Sequence, residues 1–285
     1  MTVASATLPR RPAALRSVVL VFLPFAAGYY LSYLFRTINA LIATRLMADL
    51  GLKAADLGVL TSVFFLSFAA IQLPLGMMLD RYGPRRVQIA LLPIAALGAA
   101  VFAVADNFVV LLIARALIGV GVAGSLMSGL KAIVLWFPRE RIPLANGCFV
   151  MLGALGAVTA TAPAESLLQS MGWRGLFEAL AALCAMCALL IYLFVPDTAL
   201  RKSATKKPQE LGGLRSVYAD ARFWRLAPLS ATCIGSAWAL HGLWAAPWLR
   251  DVAGLDQPVI VQHLFVMAMA ACGGALFLGF GADRF

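Results

Sequence analysis

Charged residues are scarce in this sequence. Asp, Glu, Lys and Arg make up 13% of its 285 residues, whereas apolar residues make up 62%. A soluble globular chain carries about 25% charged and about 45–50% apolar residues, so this chain lacks the polar surface that a soluble domain needs. Together with a mean hydropathy of +0.89, the composition excludes a soluble enzyme and predicts a polytopic membrane protein.

Residues that hold metals or redox centres are also few. The sequence has two histidines and five cysteines, and they follow neither a zinc-ligand spacing nor an H-x-x-x-H pattern. Cys184 and Cys187 form a C-x-x-C, but it lies in an apolar run of membrane length, where packing is the simpler interpretation. Residues 124–131 approach a phosphate-binding loop but lack its G-K-[S/T] ending. We therefore predict no metal, no cofactor and no enzymatic activity.

Apolar runs long enough to span a membrane occur eight times along the chain. Because lipid offers no hydrogen bonds to an open backbone, each run is predicted to be a helix, which makes the fold class all-α. We interpret the first run as a retained span, since it is long and lacks the small-residue cleavage site of a signal peptide. The spans are predicted at residues 17–40, 55–79, 87–105, 108–136, 143–168, 175–195, 225–249 and 258–281.

The net charge of +10 indicates how these spans are oriented. Most Lys and Arg residues outside the spans lie on the side of the amino terminus, where the positive-inside rule predicts the cytoplasm. Since the charges do not form one folded basic face, no nucleic-acid partner is predicted. The predicted organisation is a cytoplasmic tail at 1–16, a six-helix bundle at 17–195, a basic cytoplasmic loop at 196–224 and a partial second bundle of two helices at 225–285.

A charged motif ends both the second and the eighth predicted span. The two copies start 203 residues apart, and the basic loop lies between them. Such a repeat indicates two homologous six-helix halves. The first copy contains Gly76, Asp80, Arg81, Gly83, Arg85 and Arg86, and the second contains Gly279, Asp283 and Arg284.

The first copy matches at every position the signature loop G-x-x-x-D-R/K-x-G-x-R/K-R/K, and the chain resembles the Major Facilitator Superfamily. The resemblance extends over essentially the whole chain and implies a monomeric secondary transporter of the plasma membrane, which works by alternating access between two halves. Further similar segments are Arg115-Ala-Leu-Ile-Gly119-Val-Gly121, Trp136-Phe137-Pro138 and Gly172-Trp173-Arg174-Gly175-Leu176-Phe177.

The resemblance also implies a gate at the first motif. In this family the aspartate, here Asp80, faces the amino end of a helix in the opposite half, where the helix dipole favours an anion. The arginines of the motif then latch the cytoplasmic side. A plain positively charged loop on the cytoplasmic side is the alternative interpretation.

The position of the second copy of the motif predicts that the chain is shorter than a complete transporter of two halves. Halves of equal length would place the end of the second half about 110 residues beyond Phe285. The sequence ends inside the second motif instead. On this expectation the chain is a truncated form or fragment of a longer transporter and does not transport by itself.

The first span carries the candidate substrate site. Tyr29, Tyr33 and Arg36 share one helical face and Asn39 lies close to it. Ionisable groups within a membrane usually face an aqueous path, and a guanidinium beside phenol hydroxyls binds carboxylate or phosphate. This pattern favours a small organic anion, and the span is similar to that of the superfamily's organic anion and organophosphate transporters. Alternatively, Arg36 extends to the outer membrane interface.

Four further residues of the spans have roles left open by the sequence. Arg115 is similar to a family arginine that serves either proton coupling or structural hydrogen bonding. Lys131 lies about 160° around the helix from Arg115, where it either lines a cavity or extends to the cytoplasmic interface. In the seventh span, Trp238 and His241 share a face that either meets the substrate or packs within the protein.

Three functions compete at this stage. The leading one is a secondary transporter of a small organic anion, with a proton as the candidate coupling ion. A drug/proton antiporter of the same superfamily is less favoured, because the G-x-x-x-G-P-x-x-G-G pattern of its fifth helix is not matched by Gly153, Gly156 and Pro163. From another class, the chain is a transporter-like membrane sensor or an inactive fragment.

Overall fold

The computed structural model describes residues 18–197, 218–240 and 244–284. All regular structure in these ranges is helical, and the predicted all-α fold class is confirmed. A π-helical turn at Val18–Phe22 leads into the first helix, and a 3₁₀ turn at Arg139–Arg141 precedes the fifth. The helices are α1 (Leu23–Leu50), α2 (Ala54–Ala103), α3 (Phe108–Val122), α4 (Ser125–Trp136), α5 (Ile142–Thr159), α6 (Ala162–Phe194), α7 (Ala221–Ala239), α8 (Ala245–Asp251) and α9 (Gln257–Arg284).

Two of these helices are too long for one passage through a membrane. The 50 residues of α2 would extend about 75 Å as a straight helix, whereas a hydrocarbon core is about 30 Å thick. The backbone turns at Gly83, with φ 77° and ψ 164°. In α6 it turns in the same way at Gly172, with φ 69° and ψ 177°. Each turn joins two predicted spans, the second to the third and the fifth to the sixth.

Four stretches of the described chain are long and apolar enough to cross a membrane. They are Ala54–Ala103, Phe108–Trp136, Arg139–Thr159 and Pro163–Phe194. Because the first of them contains the turn at Gly83, it accounts for two predicted spans. The second contains both α3 and α4, which are separated by two residues.

The first and fifth predicted spans differ from the helices at their boundaries. We expected the first span to end at residue 40, but α1 continues to Leu50. This extension carries two charged residues, Arg45 and Asp49, and it is held by a tertiary contact, because Arg45 lies 3.1 Å from Glu165 of α6. The fifth span, expected at 143–168, is interrupted at residues 160–161, where α5 ends and α6 begins.

Close packing of small residues joins α2 to α3. A Cβ on Gly121 would lie 2.2 Å from the backbone nitrogen of Ala95, and one on Gly119 would lie 2.5 Å from the carbonyl oxygen of Phe64. Small residues allow such contacts, and in lipid this packing replaces the hydrophobic driving force of soluble proteins. Helices α2 and α3 are therefore tightly packed against each other.

Helix α9 packs against α5 through an apolar contact. Ala154 and Val158 of α5 and Cys272 of α9 form one buried cluster. This contact brings the carboxyl-terminal helices against the first six spans. It also forms one side of the cavity described below.

Candidate substrate cavity

A cavity of about 350 Å³ lies between α1, α5 and α9. Arg36 is the one charged side chain among the described residues that line it. The remaining lining residues are Tyr33, Thr37, Ala40, Leu41, Phe65, Val150, Ala154, Ala157, Ala160, Thr161, Ala237, Ala246, Ile260, Val261, Leu264, Met267, Ala268 and Ala271.

Aromatic rings and a buried hydroxyl hold Arg36 in place. Its guanidinium carbon lies 4.5 Å from the ring centroid of Phe68 and 5.5 Å from that of Tyr33. Its Nη2 donates a hydrogen bond of 3.2 Å to Ser32 Oγ. Cation–π contacts of this kind stabilise a guanidinium where water is excluded. The charge is thereby presented to the cavity from a fixed position.

Ser32 links Arg36 to the junction of α3 and α4. Its side chain is fully buried, and its hydroxyl donates to the carbonyl oxygen of Val122 at 3.3 Å. At the same junction, Gln72 Nε2 donates to the carbonyl oxygen of Ala123 at 3.3 Å. Carbonyls at an interrupted helix need such donors, because lipid provides none.

The two tyrosines predicted for the site occupy different positions. Tyr33 lines the cavity, whereas Tyr29 is buried behind it and stacks on Phe149 at a centroid distance of 5.1 Å. The rings of Tyr29 and Tyr33 meet edge to face at 5.1 Å. A Cβ on Gly153 would lie 2.3 Å from the Tyr29 ring. Tyr29 therefore supports Tyr33 and does not line the cavity itself.

Arg115 and Asn39 lie together in the core of the first six spans. Arg115 is 1% exposed, and its guanidinium carbon is 4.8 Å from the ring centroid of Phe102. Its Nη2 donates to Asn39 Oδ1, and its Nη1 donates to the carbonyl oxygen of Phe35 at 3.4 Å. Asn39 Nδ2 donates in turn to Thr61 Oγ1 at 2.8 Å. Neither Arg115 nor Asn39 is among the residues that line the cavity.

Sequence reasoning missed two polar residues of the cavity and one aromatic residue beside it. Thr37 and Thr161 line the cavity, and Phe68 carries the Arg36 guanidinium on its ring face. Thr37 could have been predicted from the sequence, because it directly follows Arg36. Phe68 belongs to α2 and Thr161 to the break between α5 and α6, and a single sequence does not show which segments α1 will meet.

Several predicted residues of the carboxyl-terminal part cannot be placed at the site. His241 and the side chain of Trp238 lie outside the described part of the chain. The backbone of Gly279, Asp283 and Arg284 belongs to the last turns of α9. The side chains of Asp283 and Arg284 also lie outside the described part of the chain, and the predicted roles of all five residues remain predictions.

The first charged motif pairs with α4. Asp80 is 2.6 Å from Lys131 Nζ, which also donates to the carbonyl oxygen of Leu79 at 2.8 Å. We predicted no contact between Asp80 and Lys131. The family resemblance implied instead that Asp80 faces the amino end of a helix in the opposite half. Gly76 has open space around it, and the guanidinium of Arg81 lies over the ring of the neighbouring Tyr82 at 5.3 Å.

The arginines that follow the Gly83 turn contact the end of α6. Arg86 Nη2 lies 3.0 Å and Arg85 Nη1 3.6 Å from Asp197 Oδ2, and Arg85 Nη2 donates to the carbonyl oxygen of Tyr192 at 2.7 Å. The hydrogen bond from Arg86, followed by the charges of Arg86 and Arg85, lowers the pKa of Asp197. Asp197 was not predicted, because its partners are over 100 residues away in sequence.

The opposite end of the bundle has its own polar contacts. Trp173 Nε1 donates to Asp49 at 2.7 Å, and Arg174 Nη1 donates to the carbonyl oxygens of Ala103 and Ala105 at 2.9 Å. These bonds surround the Gly172 turn. They tie the extended end of α1 and the loop after α2 to the middle of α6.

A sequence profile of one transporter family matches residues 25–285, nearly the whole chain. The chain belongs to the Major Facilitator Superfamily. This membership confirms the resemblance carried by the first charged motif. It also identifies the chain as part of a membrane protein family of transporters and not of enzymes.

Curated members of the Major Facilitator Superfamily share low but extensive similarity with the chain. The "Probable sulfoacetate transporter SauU" of Cupriavidus necator is 24% identical over 269 residues, which cover 90% of this chain and 63% of that protein. The "Probable L-galactonate transporter" of Escherichia coli is 26% identical over 283 residues, which cover 94% of this chain and 62% of that protein. The chain thus spans somewhat less than two thirds of the length of these relatives.

A solved structure of the superfamily shows the same fold. It is a bacterial homolog to the human lysosomal transporter Spinster, in an inward-facing and occupied conformation. The TM-score is 0.66, with 23% sequence identity over 93% of this chain and 59% of that chain. At this identity the likeness supports the fold alone.

Proposed function

We propose that the protein is a secondary transporter of a small organic anion, which binds in the cavity at Arg36 during alternating access. The observation that carries the proposal is the position of Arg36, the one charged side chain among the described residues lining the cavity. A fixed guanidinium attracts carboxylate, sulfonate or phosphate and can bind it through two parallel hydrogen bonds. The names of the two relatives, which denote organic anions, support this substrate class.

We propose different roles for the two buried arginines. Arg36 faces the cavity and binds the anion, with Tyr33 beside it. Arg115 is enclosed by Asn39, Phe35 and aromatic rings, which supports a structural role over a role in proton coupling. The proton remains the proposed coupling ion on the basis of family resemblance.

We also propose that the first charged motif faces the cytoplasm. The excess of Lys and Arg on that side of the sequence supports this orientation. Asp80 with Lys131, and Arg85 and Arg86 with Asp197, then form ion pairs at the cytoplasmic ends of the helices. The division into two halves and the monomeric state rest on the same family resemblance.

The proposed function is tested by uptake of labelled anions into liposomes that contain the protein. A panel of carboxylates, sulfonates and phosphate esters is compared between the wild type and Arg36→Ala. Loss of a charge-assisted contact is expected to lower uptake at limiting concentration at least about tenfold. Arg36→Lys keeps the charge but not the paired geometry, and intermediate uptake is expected.

The matched control is Arg250→Ala. Arg250 is exposed and its charged partner is the adjacent Asp251, 2.7 Å away. It does not line the cavity. Equal uptake by the wild type and Arg36→Ala for every anion that is transported would contradict the proposal.

A further inference from the structure

The cavity contains two threonines that come from different parts of the fold. Thr37 lies on α1 and directly follows Arg36, whereas Thr161 lies in the break between α5 and α6. Both residues are partly exposed and both line the cavity. They therefore bring two hydroxyl groups into the same space as the guanidinium of Arg36.

The hydrogen of each threonine hydroxyl is already bonded to the backbone. Thr37 Oγ1 donates to the carbonyl oxygens of Tyr33 at 3.0 Å and Leu34 at 3.3 Å. Thr161 Oγ1 donates to the carbonyl oxygen of Val158 at 2.5 Å. Because a hydroxyl has one hydrogen and two lone pairs, each of these oxygens is left to accept a hydrogen bond from a ligand.

Local structure holds both hydroxyl hydrogens in these bonds. Within α1, the side chain of Thr37 reaches back to the carbonyls three and four residues earlier, as helical threonines commonly do. At the end of α5, the carbonyl of Val158 accepts from both the backbone nitrogen and the side chain of Thr161. Turning this hydroxyl toward a ligand would remove a donor from a helix-end carbonyl, which is costly where the membrane supplies no other.

The cavity thus offers groups of opposite hydrogen-bonding character to a ligand. The guanidinium of Arg36 can only donate, and it attracts an anionic group. The threonine oxygens accept, so the complementary ligand also carries a hydrogen-bond donor. A hydroxyl supplies this donor without a charge, whereas the positive charge of an ammonium group would be repelled by the guanidinium.

We propose that Thr37 and Thr161 are specificity-determining residues, which accept hydrogen bonds from the hydroxyl groups of a hydroxylated organic anion held at Arg36. This inference rests on the proposed function. A ligand hydroxyl gives up hydrogen bonds to water when it enters the cavity, and each threonine oxygen provides a replacement partner. Selectivity for hydroxyl groups is therefore assigned to α1 and to the break between α5 and α6.

The test measures binding to the full chain in detergent by equilibrium dialysis with two labelled probes. Glycerate carries two hydroxyls beside its carboxylate, and 2-methylbutanoate of matching configuration carries a methyl group in place of each. Thr37→Val and Thr161→Val keep the shape of the side chain but remove the acceptor oxygen. Each variant is expected to raise the dissociation constant for glycerate about three- to tenfold, and that for 2-methylbutanoate by less than about twofold.

Two kinds of control accompany these variants. Thr37→Ser and Thr161→Ser keep the hydroxyl and are expected to retain the wild-type ratio of the two dissociation constants. Thr232→Val makes the same change on α7, where an exposed hydroxyl donates to the carbonyl oxygen of Pro228 at 2.8 Å. Thr232 does not line the cavity, and its variant is expected to bind both probes as the wild type does. Thermal unfolding shows whether each variant is folded.

The outcomes separate this inference from the proposed function. If both valine variants leave the ratio unchanged while Arg36→Ala weakens binding of both probes, the role of the threonines is overturned and the anion site stands. If Arg36→Ala binds both probes as well as the wild type, the anion site itself is overturned. A folded wild type that binds 2-methylbutanoate but not glycerate also overturns the inference.

Selective loss of glycerate binding in the valine variants, with recovery in the serine variants, supports both the threonine contacts and the anion site. A selective loss in one valine variant alone would assign the hydroxyl contact to that threonine and exclude the other.

Discussion

Arg36 and Arg115 have similar sequence contexts, but their surroundings in the structure differ. Arg36 and Arg115 both lie within apolar spans, and composition does not distinguish them. In the structure, Arg36 lines the cavity beside Tyr33, whereas Arg115 is enclosed in the core and hydrogen-bonded to Asn39. Substitution of Arg36 is therefore expected to affect mainly anion binding, whereas substitution of Arg115 is expected to affect mainly stability.

We predict that Arg115→Leu lowers thermal stability strongly, whereas Arg36→Ala mainly lowers binding. Removing Arg115 leaves Asn39 Oδ1 buried without its donor, which costs about 1–3 kcal/mol, and more where the lost partner is charged. The double variant Arg115→Leu with Asn39→Leu is expected to recover part of this loss, because neither polar partner remains. Thr61 keeps its own bond to the carbonyl oxygen of Leu57 at 2.9 Å.

The measurement is thermal unfolding of the purified variants in detergent, together with anion binding. If Arg115→Leu unfolds at the wild-type temperature, the structural role is excluded. If the double variant is no more stable than the single one, the hydrogen bond to Asn39 is not the source of the loss.

Ser32 is expected to position Arg36 without contacting the ligand itself. Its hydroxyl is buried between Arg36 Nη2 and the carbonyl oxygen of Val122. Ser32→Ala removes both bonds and is predicted to weaken anion binding about three- to tenfold, the cost of one ordinary hydrogen bond. Ser62→Ala on α2, where an exposed hydroxyl donates only to the carbonyl oxygen of Gly58, is the control. Unchanged dissociation constants in Ser32→Ala would contradict the prediction.

At the scale of helices, two glycine turns convert long apolar helices into pairs of membrane passages. Gly83 and Gly172 both combine φ near 70° with extended ψ, a region of backbone conformation that is essentially reserved for glycine. The spans predicted at 55–79 and 87–105 leave a short connection between them, and Gly83 lies in it. The Gly172 turn was matched as part of a family segment, but we expected the fifth span to end earlier.

We predict that Gly172→Ala destabilises the protein by about 1–3 kcal/mol through backbone strain. A Cβ at Gly172 would meet no atom within 4 Å, so steric overlap does not contribute. Gly58→Ala is the matched control, because Gly58 has equally open surroundings but lies within the regular part of α2. A lower unfolding temperature for Gly172→Ala than for Gly58→Ala is expected in thermal denaturation. Equal temperatures would show that the turn tolerates a side chain.

At the scale of the whole molecule, polar contacts brace both ends of the first six spans. At one end, Asp197 joins Arg85 and Arg86, and at the other, Arg45 joins Glu165. The contact of α5 with α9 is apolar, through Ala154, Val158 and Cys272. The polar contacts thus tie the first six spans to one another at both ends, whereas the contact with α9 is made by apolar side chains.

The contact at Asp197 makes a pH-dependent contribution to stability. Because hydrogen bonding to Arg86 lowers the pKa of Asp197 in the folded state, the contribution is fully present above the ordinary aspartate pKa. It is lost as the pH falls through the lowered pKa. Asp197→Asn is therefore expected to unfold at a slightly lower temperature than the wild type at neutral pH.

The difference in unfolding temperature should disappear in acid, and it should shrink in high salt because the pair is exposed. Comparison of the two proteins between neutral and acidic pH measures this effect. A difference that persists unchanged at low pH would show that the charge of Asp197 is not its cause.

Much of the architecture could be read from the sequence. The excess of apolar residues dictates helices in a membrane, because lipid leaves backbone groups no other partners. The motif from Gly76 to Arg86 identified the superfamily, and membership is confirmed over residues 25–285. The apolar runs and the charged motif are each local in sequence. One sequence was therefore sufficient to predict the helical membrane fold and the superfamily.

Only the tertiary structure decided which side chains meet. Lys131 reaches Asp80 across 51 residues, Arg86 reaches Asp197 across 111, and Arg36 shares its cavity with Met267. Such contacts depend on which helices become neighbours and on how each is rotated. A hydrophobic pattern does not specify either in lipid, since nearly every face of a membrane helix is apolar. The sequence by itself therefore determined the class of protein, and the packing of its helices determined the cavity.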